Sequence, residues 1–318
     1  PDTLVECINI KGNENKCGGA VFLEIGNNIF QRIVDGDGHT VVYPAEGNTI
    51  IGHAGWSTTI DGEVVRDFTT YNTTVTFYAI RDISNYVVEI TNKPASGSPS
   101  TTLYASWADA VAAFANMDVT GATVTFKLLG DLSVTSTADY LTVKNASVII
   151  DINGKTLTLT KNKFITDAPT AETADGRTIV LKSSSAGGKI VTTGANIYVV
   201  TQNTENVYFA DVVVEDLTID VNNQYQFGLI SIGKVPNASP EYYLKNTQIT
   251  LNGTGMSGMF YGIIDVGQKL ATAKKYAFVT LENTIITSNS TSNLYTTQII
   301  ACFKCIYSNT CYAIRYSN

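Results

Sequence analysis

The chain contains 318 residues, of which 15% are charged and 44% are hydrophobic, with a formal net charge of −7 and an isoelectric point near 4.9. The acidic balance and the lack of a Lys/Arg cluster argue against nucleic-acid binding, which needs basic groups to neutralise phosphates. No apolar run approaches the roughly 18 residues of a membrane-spanning helix, so we expect no membrane insertion. Thr and Asn are abundant and Pro and His are scarce, which is typical of a β-protein.

The N-terminal part of the chain, residues 1–91, is predicted to be a small β-rich domain. Its short β-rich runs are separated by turns of Gly, Asn and Asp, and they lie at 20–25, 29–34, 40–43 and 74–80. Residues 92–102 then combine two prolines, a glycine and three serines, which is a composition typical of a linker. We therefore expect a second domain over residues 103–318.

One helix is predicted at the start of this second domain, near residues 106–117. Ser106 is a good N-cap residue, Asp109 places an acid in the first turn, and Trp107, Val111 and Phe114 fall on one face. A helix this short is not stable alone. Its apolar face must therefore be buried against the strands that follow.

The rest of the chain is repetitive. Segments that begin at Glu215, Lys245 and Glu282 share the order charged, Asx, two variable residues, Ile, polar, variable, Asn, at separations of 30 and 37 residues. An earlier segment, 147–159, has the same alternation around a glycine turn. Unequal spacing around a shared strand core is typical of a solenoid, because insertions enter loops while the strands keep stacking.

Residues 43–79 carry a more specific pattern: Pro44-x-x-Gly47, Gly55-Trp56, Asp61-Gly62 and a closing Thr-Val-Thr-Phe-Tyr-Ala strand. This pattern resembles the Listeria–Bacteroides repeat, a β-grasp-like module also called the internalin B-repeat. The resemblance implies an extracellular spacer or adhesive module of a cell-surface or phage-appendage protein. Gly55 and Trp56 are expected to be structural, with Trp56 filling a small core; a sugar-stacking role for Trp56 is the alternative.

Residues 103–318 resemble the right-handed parallel β-helix of pectate-lyase-like proteins, through the helix, the Asp151-Ile152-Asn153-Gly154 turn and the Asn-Thr-x-Ile segments. The resemblance implies an all-β chain: a small β-grasp-like domain, then a right-handed parallel β-helix with an N-terminal capping helix. Asn246 and Asn283 look like asparagines that stack between turns, and ordinary turn asparagines are the alternative. A β-sandwich or jelly roll is the alternative fold.

Polysaccharide lyases and hydrolases of this family need a charged constellation on one face. The weak candidates here are Asp216, Asp220, Asp265 and Arg177. Asp216 and Asp220 would lie roughly 13 Å apart on one strand, which is too far for a catalytic carboxylate pair. No histidine lies beyond His53, which excludes Ser-His and Cys-His arrangements in this region. We expect a non-enzymatic structural or adhesive protein without a cofactor, with a lyase or glycoside hydrolase as the alternative.

All cysteines lie near the two ends of the chain. Cys7 and Cys17 are disulfide candidates, as are Cys302, Cys305 and Cys311, of which the odd number leaves at least one thiol unpaired or intermolecular. No His and no second Cys pair lies nearby. We therefore expect no metal site.

Tyrosines in loop-like surroundings are the predicted ligand-binding residues. Tyr225, Tyr261 and Tyr295 stand in such places, and a tyrosine ring offers an apolar face with a polar tip. The expected partner is a glycan or a surface protein, at an extracellular, cell-surface or virion-surface location. The apolar segment 295–316 is expected either to cap the solenoid or to support self-association.

Overall fold

The computed structural model describes most of residues 83–289, with gaps at 171–175, 203–207, 223–225, 234–237, 253–262 and 266–276, together with Glu63 and isolated strands nearer both ends of the chain. Two compact units are present, residues 1–85 and residues 86–318.

The described strands of the first unit form two antiparallel three-stranded sheets. Its strands are β1 (Leu4–Cys7), β2 (Val21–Ile25), β3 (Asn28–Val34), β4 (Thr40–Pro44), β5 (His53–Ser57) and β6 (Val75–Arg81). One sheet has the order β2-β3-β4 and the other β1-β6-β5. The four β-rich runs predicted in this region are confirmed as β2, β3, β4 and β6.

The second unit begins with a hairpin of β7 (Val88–Lys93) and β8 (Ser100–Tyr104). The predicted linker, 92–102, is therefore wrong: its ends belong to these strands, and its Pro and Gly residues form the loop of the hairpin. β7 is held in place by Val88 and Ile90, which are fully buried, and it pairs with a strand that begins at Thr123. A Pro/Gly cluster suits a hairpin loop as well as a linker.

The predicted helix is confirmed as α1 (Trp107–Asn116). Ser106 is the N-cap, and its hydroxyl accepts a hydrogen bond from the Asp109 backbone N–H at 3.1 Å. The rings of Trp107 and Phe114 pack on Phe126, with centroid separations of 5.5 and 5.3 Å. The apolar face of α1 is thus buried against the strands that follow it, as its length requires.

After α1 the chain runs through a series of short strands. They are β9 (Thr123–Leu128), β10 (Leu132–Val134), β11 (Leu141–Val143), β12 (Ser147–Asp151), β13 (Thr156–Leu159), β14 (Lys163–Asp167), β15 (Thr178–Lys182), β16 (Lys189–Thr192), β17 (Asn196–Gln202), β18 (Asp211–Glu215), β19 (Thr218–Val221), β20 (Gln226–Ile232), β21 (Glu241–Lys245), β22 (Gln248–Leu251), β23 (Ile264–Asp265), β24 (Phe278–Glu282), β25 (Ile285–Ser288), β26 (Ile300–Ala301) and β27 (Ile314–Ser317). A short 3₁₀ helix spans Thr137–Asp139.

These strands form three sheets, and each turn of the chain adds one strand to each of them. The first sheet has the order β27-β24-β21-β18-β15-β12-β9-β7-β8, the second β10-β13-β16-β19-β22-β25, and the third β11-β14-β17-β20-β23-β26. The pairs from β9 onwards are parallel, and only β7 pairs antiparallel with its neighbours. The predicted all-β class is confirmed, with parallel sheets.

The core lies between the three sheets. In the first sheet Ile150, Leu181 and Val214 stand in register and are fully buried, and the residue before each of them is half-buried and points outward. Each such aliphatic side chain contributes about 1.5–3 kcal/mol by leaving water. The period-two pattern of the sequence therefore becomes columns of apolar side chains, stacked from one turn to the next.

The turn from the first to the second sheet holds Asx residues in the left-handed region. Asn153, Asp216, Asn246 and Asn283 have φ values of 51°, 55°, 49° and 45°. Asn283 Nδ2 donates to Asn246 Oδ1 at 3.2 Å, and Asn246 Nδ2 donates to Asp216 Oδ1 at 2.9 Å. Asn tolerates this backbone better than other non-glycine residues, and the side-chain bonds link successive turns.

Candidate functional site

Arg177, a candidate catalytic residue, is buried, with 5% of its surface exposed. Its Nη1 donates to Asp167 Oδ1 at 2.8 Å, and its Nη2 donates to the Tyr208 carbonyl at 2.8 Å. A guanidinium that is buried and bonded in this way holds the loop after β14 to the segment before β18. Its position is that of a structural ion pair.

The Asp167 carboxylate is the centre of a buried polar network. Its Oδ2 accepts hydrogen bonds from the Ala210 backbone N–H at 2.8 Å and from Gln202 Nε2 at 3.1 Å. The Tyr242 hydroxyl in turn donates to Gln202 Oε1 at 2.5 Å. The network ties three successive turns of the chain together.

Burial shifts the pKa values of two groups in this network, Asp167 and Tyr242. Burial raises the pKa of Asp167 above its usual value, although the Arg177 charge and the hydrogen-bond donors oppose the rise. Burial, and to a smaller extent the charges of Asp167 and Asp211, raise the pKa of Tyr242 well above 10.0. The Tyr242 hydroxyl therefore remains a hydrogen-bond donor at neutral pH.

The candidate aspartates are not brought together as a catalytic pair. Asp216 lies in the turn before β19, so the expectation that it shares a strand with Asp220 is wrong. Asp220 points outward from β19 and forms an ion pair with Lys189. Asp265 ends β23, in register with Ser231 and Ala301. Within the described ranges, no group of three or more His, Cys, Asp or Glu side chains could hold a metal ion.

Several predicted site residues lie outside the described residues: Tyr225, Tyr261, Tyr295, Cys17, Cys302, Cys305 and Cys311. For three others the structure gives only the backbone. Cys7 ends β1 opposite Val75, and Gly55 and Trp56 lie in β5 opposite Ile80 and Ala79.

A tyrosine that the sequence did not single out lies on the outward face of the third sheet. Tyr198 on β17 stands between Lys163 on β14 and Gly228 on β20. A Cβ atom at Gly228 would come within 2.8 Å of Tyr198 Cδ1 and 3.3 Å of Cε1. The ring therefore lies along the sheet, over a strand that can accommodate it because glycine has no side chain there.

Hydroxyl groups form a row beside this ring. Thr142, Thr166, Thr201 and Ser231 stand in register on neighbouring strands, and Thr201 Oγ1 lies 3.2 Å from Thr166 Oγ1. Thr201 is buried, whereas Thr166 and Ser231 are half-buried. We call Lys163, Tyr198, Gly228, Thr166 and Ser231 the tyrosine platform. It offers an apolar ring, hydroxyls and one ammonium group on three neighbouring strands of the third sheet.

The residues of this platform come from different turns of the chain, so they are not recognisable as a group in the linear sequence. Tyr198 and Gly228 are 30 residues apart, so the ring has room only if the two strands pair in the register that the structure has. Tyrosine is also favoured in strands, so a tyrosine within a strand has no distinguishing sequence context of its own.

A groove of about 360 Å³ lies beside the C-terminal half of α1. Val111, Phe114 and Met117 line it from the helix side, and Tyr140 and Lys144 line it from the side of β11. Its volume is within the range of small-ligand sites. It is a concave surface, and the elements that form it differ from those of the tyrosine platform.

No protein-family model matches the chain, and neither curated proteins nor solved structures gave a match. In the part of the chain that the structure describes, no helix is long and apolar enough to cross a membrane.

Proposed function

We propose that this chain is a non-enzymatic extracellular structural or adhesive protein that binds a glycan on the tyrosine platform. The second unit is proposed to be a right-handed parallel β-helix. The one-strand-per-turn addition to three parallel sheets and the stacked Asx turns support this. The first unit is proposed to be a Listeria–Bacteroides module, supported by the antiparallel pairing of the Gly55-Trp56 strand with β6. Together they suit a cell-surface or virion-appendage component.

The observation that carries glycan binding is the position of Tyr198 over Gly228. Sugar rings present apolar C–H faces and a rim of hydroxyls, which an aromatic face and neighbouring polar groups complement. Lys163 and Ser231 lie on the strands next to Tyr198 and supply such groups. The periodic sheet repeats its spacing along the stack, which suits an extended polymer.

The positions of the charged candidates favour binding without catalysis. Arg177 forms an ion pair with Asp167, and Asp220 forms one with Lys189. Asp216 accepts a hydrogen bond from Asn246. Groups held in structural hydrogen bonds and ion pairs are poorly suited to exchange protons with a substrate.

The first prediction concerns glycan binding on the tyrosine platform. The variants Tyr198→Ala and Gly228→Ala are compared with the natural chain for retention on immobilised polysaccharides. Tyr198→Ala removes the stacking ring, so we expect about tenfold weaker retention, a difference of about 1.4 kcal/mol. Gly228→Ala keeps the tyrosine but displaces its ring, because the new Cβ would meet Cδ1 at 2.8 Å. We expect it to weaken retention to a similar extent.

Tyr140→Ala in the groove beside α1 is the matched control, and circular dichroism checks that each variant is folded. Unchanged retention of both platform variants, or an equal loss in Tyr140→Ala, would contradict binding on the platform. Release of reducing ends or unsaturated sugars from any polysaccharide would instead support the enzymatic alternative.

A further inference from the structure

The outward face of the first sheet carries a row of charges whose sign alternates from strand to strand. The residues stand in register on seven neighbouring strands, and they are Glu89, Lys127, Asp151, Lys182, Glu215, Lys245 and Glu282. We call them the charge row. Asp151 differs from the others because it is buried and its Oδ1 accepts hydrogen bonds from the backbone N–H groups of Asn153 and Ser184. Opposite charges on adjacent strands stabilise the sheet modestly, as in the Lys245–Glu282 pair at 3.6 Å.

An apolar row lies next to the charge row, two residues back along each strand. Ile149, Val180, Val213 and Tyr243 are in register and point outward. They are half-buried, whereas Ile150, Leu181, Val214 and Leu244, the next residues along the same strands, are buried in the core. A contiguous apolar strip beside alternating charges is typical of an interaction surface.

We propose that this face binds a second copy of the chain. The two copies are related by a two-fold axis that lies in the interface, parallel to the strands and midway between β15 and β18. Such an axis reverses the order of the strands, so β15 faces β18, and β12 faces β21 of the second copy. Lys182 then faces Glu215, and Lys127 faces Glu282. Every contact in the charge row joins opposite signs.

The alternation of sign selects this kind of axis. An axis that coincided with a strand, such as β15, would place Lys182 opposite its own copy and Lys127 opposite Lys245, which are like charges. Like-charge juxtapositions disfavour association. The axis between β15 and β18 also bisects the apolar row, so that Val180 faces Val213 and Ile149 faces Tyr243. The charge row and the apolar row therefore favour the same arrangement of the two copies.

The size of the face predicts a weak dimer. Six strands at about 4.8 Å and five residues at about 3.3 Å give a footprint of roughly 500 Å² on each copy. Stable interfaces bury about 800 Å² on each partner. We therefore expect reversible dimers with a Kd in the micromolar range or weaker, and this association is independent of glycan binding.

The second prediction is tested by sedimentation equilibrium of the full chain from about 10 μM to about 1 mM, the range in which such a Kd is measurable. We expect a monomer–dimer equilibrium for the natural chain. Val180→Lys places a charge opposite Val213 twice per dimer and weakens association at least tenfold. Combining it with Val213→Glu restores dimers, because the new lysine then faces the new glutamate.

Val191→Lys is the matched control, since Val191 is a half-buried, outward valine on β16 of the second sheet. It leaves dimerisation unchanged. If Val180→Lys does not fold, Glu215→Lys tests the same face through the charge row and weakens association at least tenfold. The proposal is overturned if the chain is monomeric throughout, if oligomers are insensitive to Val180→Lys and Glu215→Lys, or if Val191→Lys weakens them equally.

Discussion

The buried ion pair between Asp167 and Arg177 joins two groups that respond differently to losing their partner. A carboxylate can become neutral by taking up a proton, and burial already raises the pKa of Asp167. A guanidinium cannot lose its proton in a folded protein. Removing the acid and removing the base should therefore have different consequences for stability.

The third prediction concerns this difference. Asp167→Asn keeps the shape of the side chain but leaves the Arg177 charge buried without its counter-charge. We expect it to lower the free energy of unfolding by about 3–5 kcal/mol, as for other broken buried pairs. Urea unfolding measures the loss. Asp118→Asn is the control, because Asp118 is exposed and accepts a hydrogen bond from the Thr120 N–H, and we expect a change within about 0.5 kcal/mol.

The stability of the Arg177→Met variant should depend on pH, because the variant buries Asp167 without its cationic partner. A carboxyl whose pKa is higher in the folded than in the unfolded protein contributes stability below its unfolded pKa, near 3.8, and loses it as the pH rises through the folded pKa. We expect Arg177→Met to be less stable at pH 8 than at pH 5, relative to the natural chain. A pH-independent loss would contradict this assignment.

At the scale of an element, the Asx turns show how a local backbone requirement becomes a repeat. Asn246 adopts a φ of 49°, and its amide both donates to Asp216 and accepts from Asn283. The repeat at separations of 30 and 37 residues is visible in the sequence because each turn needs a residue that tolerates this φ. The stacking bonds follow from the parallel register of the strands that flank the turns.

The fourth prediction separates these two contributions. Asn246→Ala loses the side-chain bonds and strains the backbone, so we expect about 1–2 kcal/mol of lost stability. Asn246→Gly relieves the strain and should cost less than Asn246→Ala. Asn222→Ala, at an exposed asparagine after β19, is the control and should be nearly neutral. Equal losses for alanine and glycine at residue 246 would show that the backbone contributes little.

At the scale of the molecule, the position of the boundary between the units decides which segments fold together. The boundary lies between Asn85 and Tyr86, so β7 and β8 belong to the second unit. Val88 and Ile90 of β7 are buried in its core. The Pro/Gly composition of residues 92–102 could not reveal this, because β7 pairs with β9, about 30 residues later in the chain.

The fifth prediction compares a chain that starts at Tyr86 with one that starts at Leu103. The first retains β7 and should unfold at the same temperature as the second unit within the full chain. The second lacks two fully buried side chains, each contributing about 1.5–3 kcal/mol, and exposes β9 as an edge, so its melting temperature should fall or it should aggregate. Calorimetry measures both, and equal melting temperatures would contradict the assignment of β7 to this unit.

The sequence by itself determined the features that depend on neighbours along the chain. These are the strand runs with period-two burial, the N-capped helix at Ser106, and the Asx turns that tolerate a left-handed backbone. Only the tertiary structure decided which residues of different turns stand side by side. It placed Tyr198 over Gly228, paired Arg177 with Asp167, and aligned the charge row. The physical reason is register: turns of unequal length separate the strands, and alignment is set by packing of the shared core rather than by local preference.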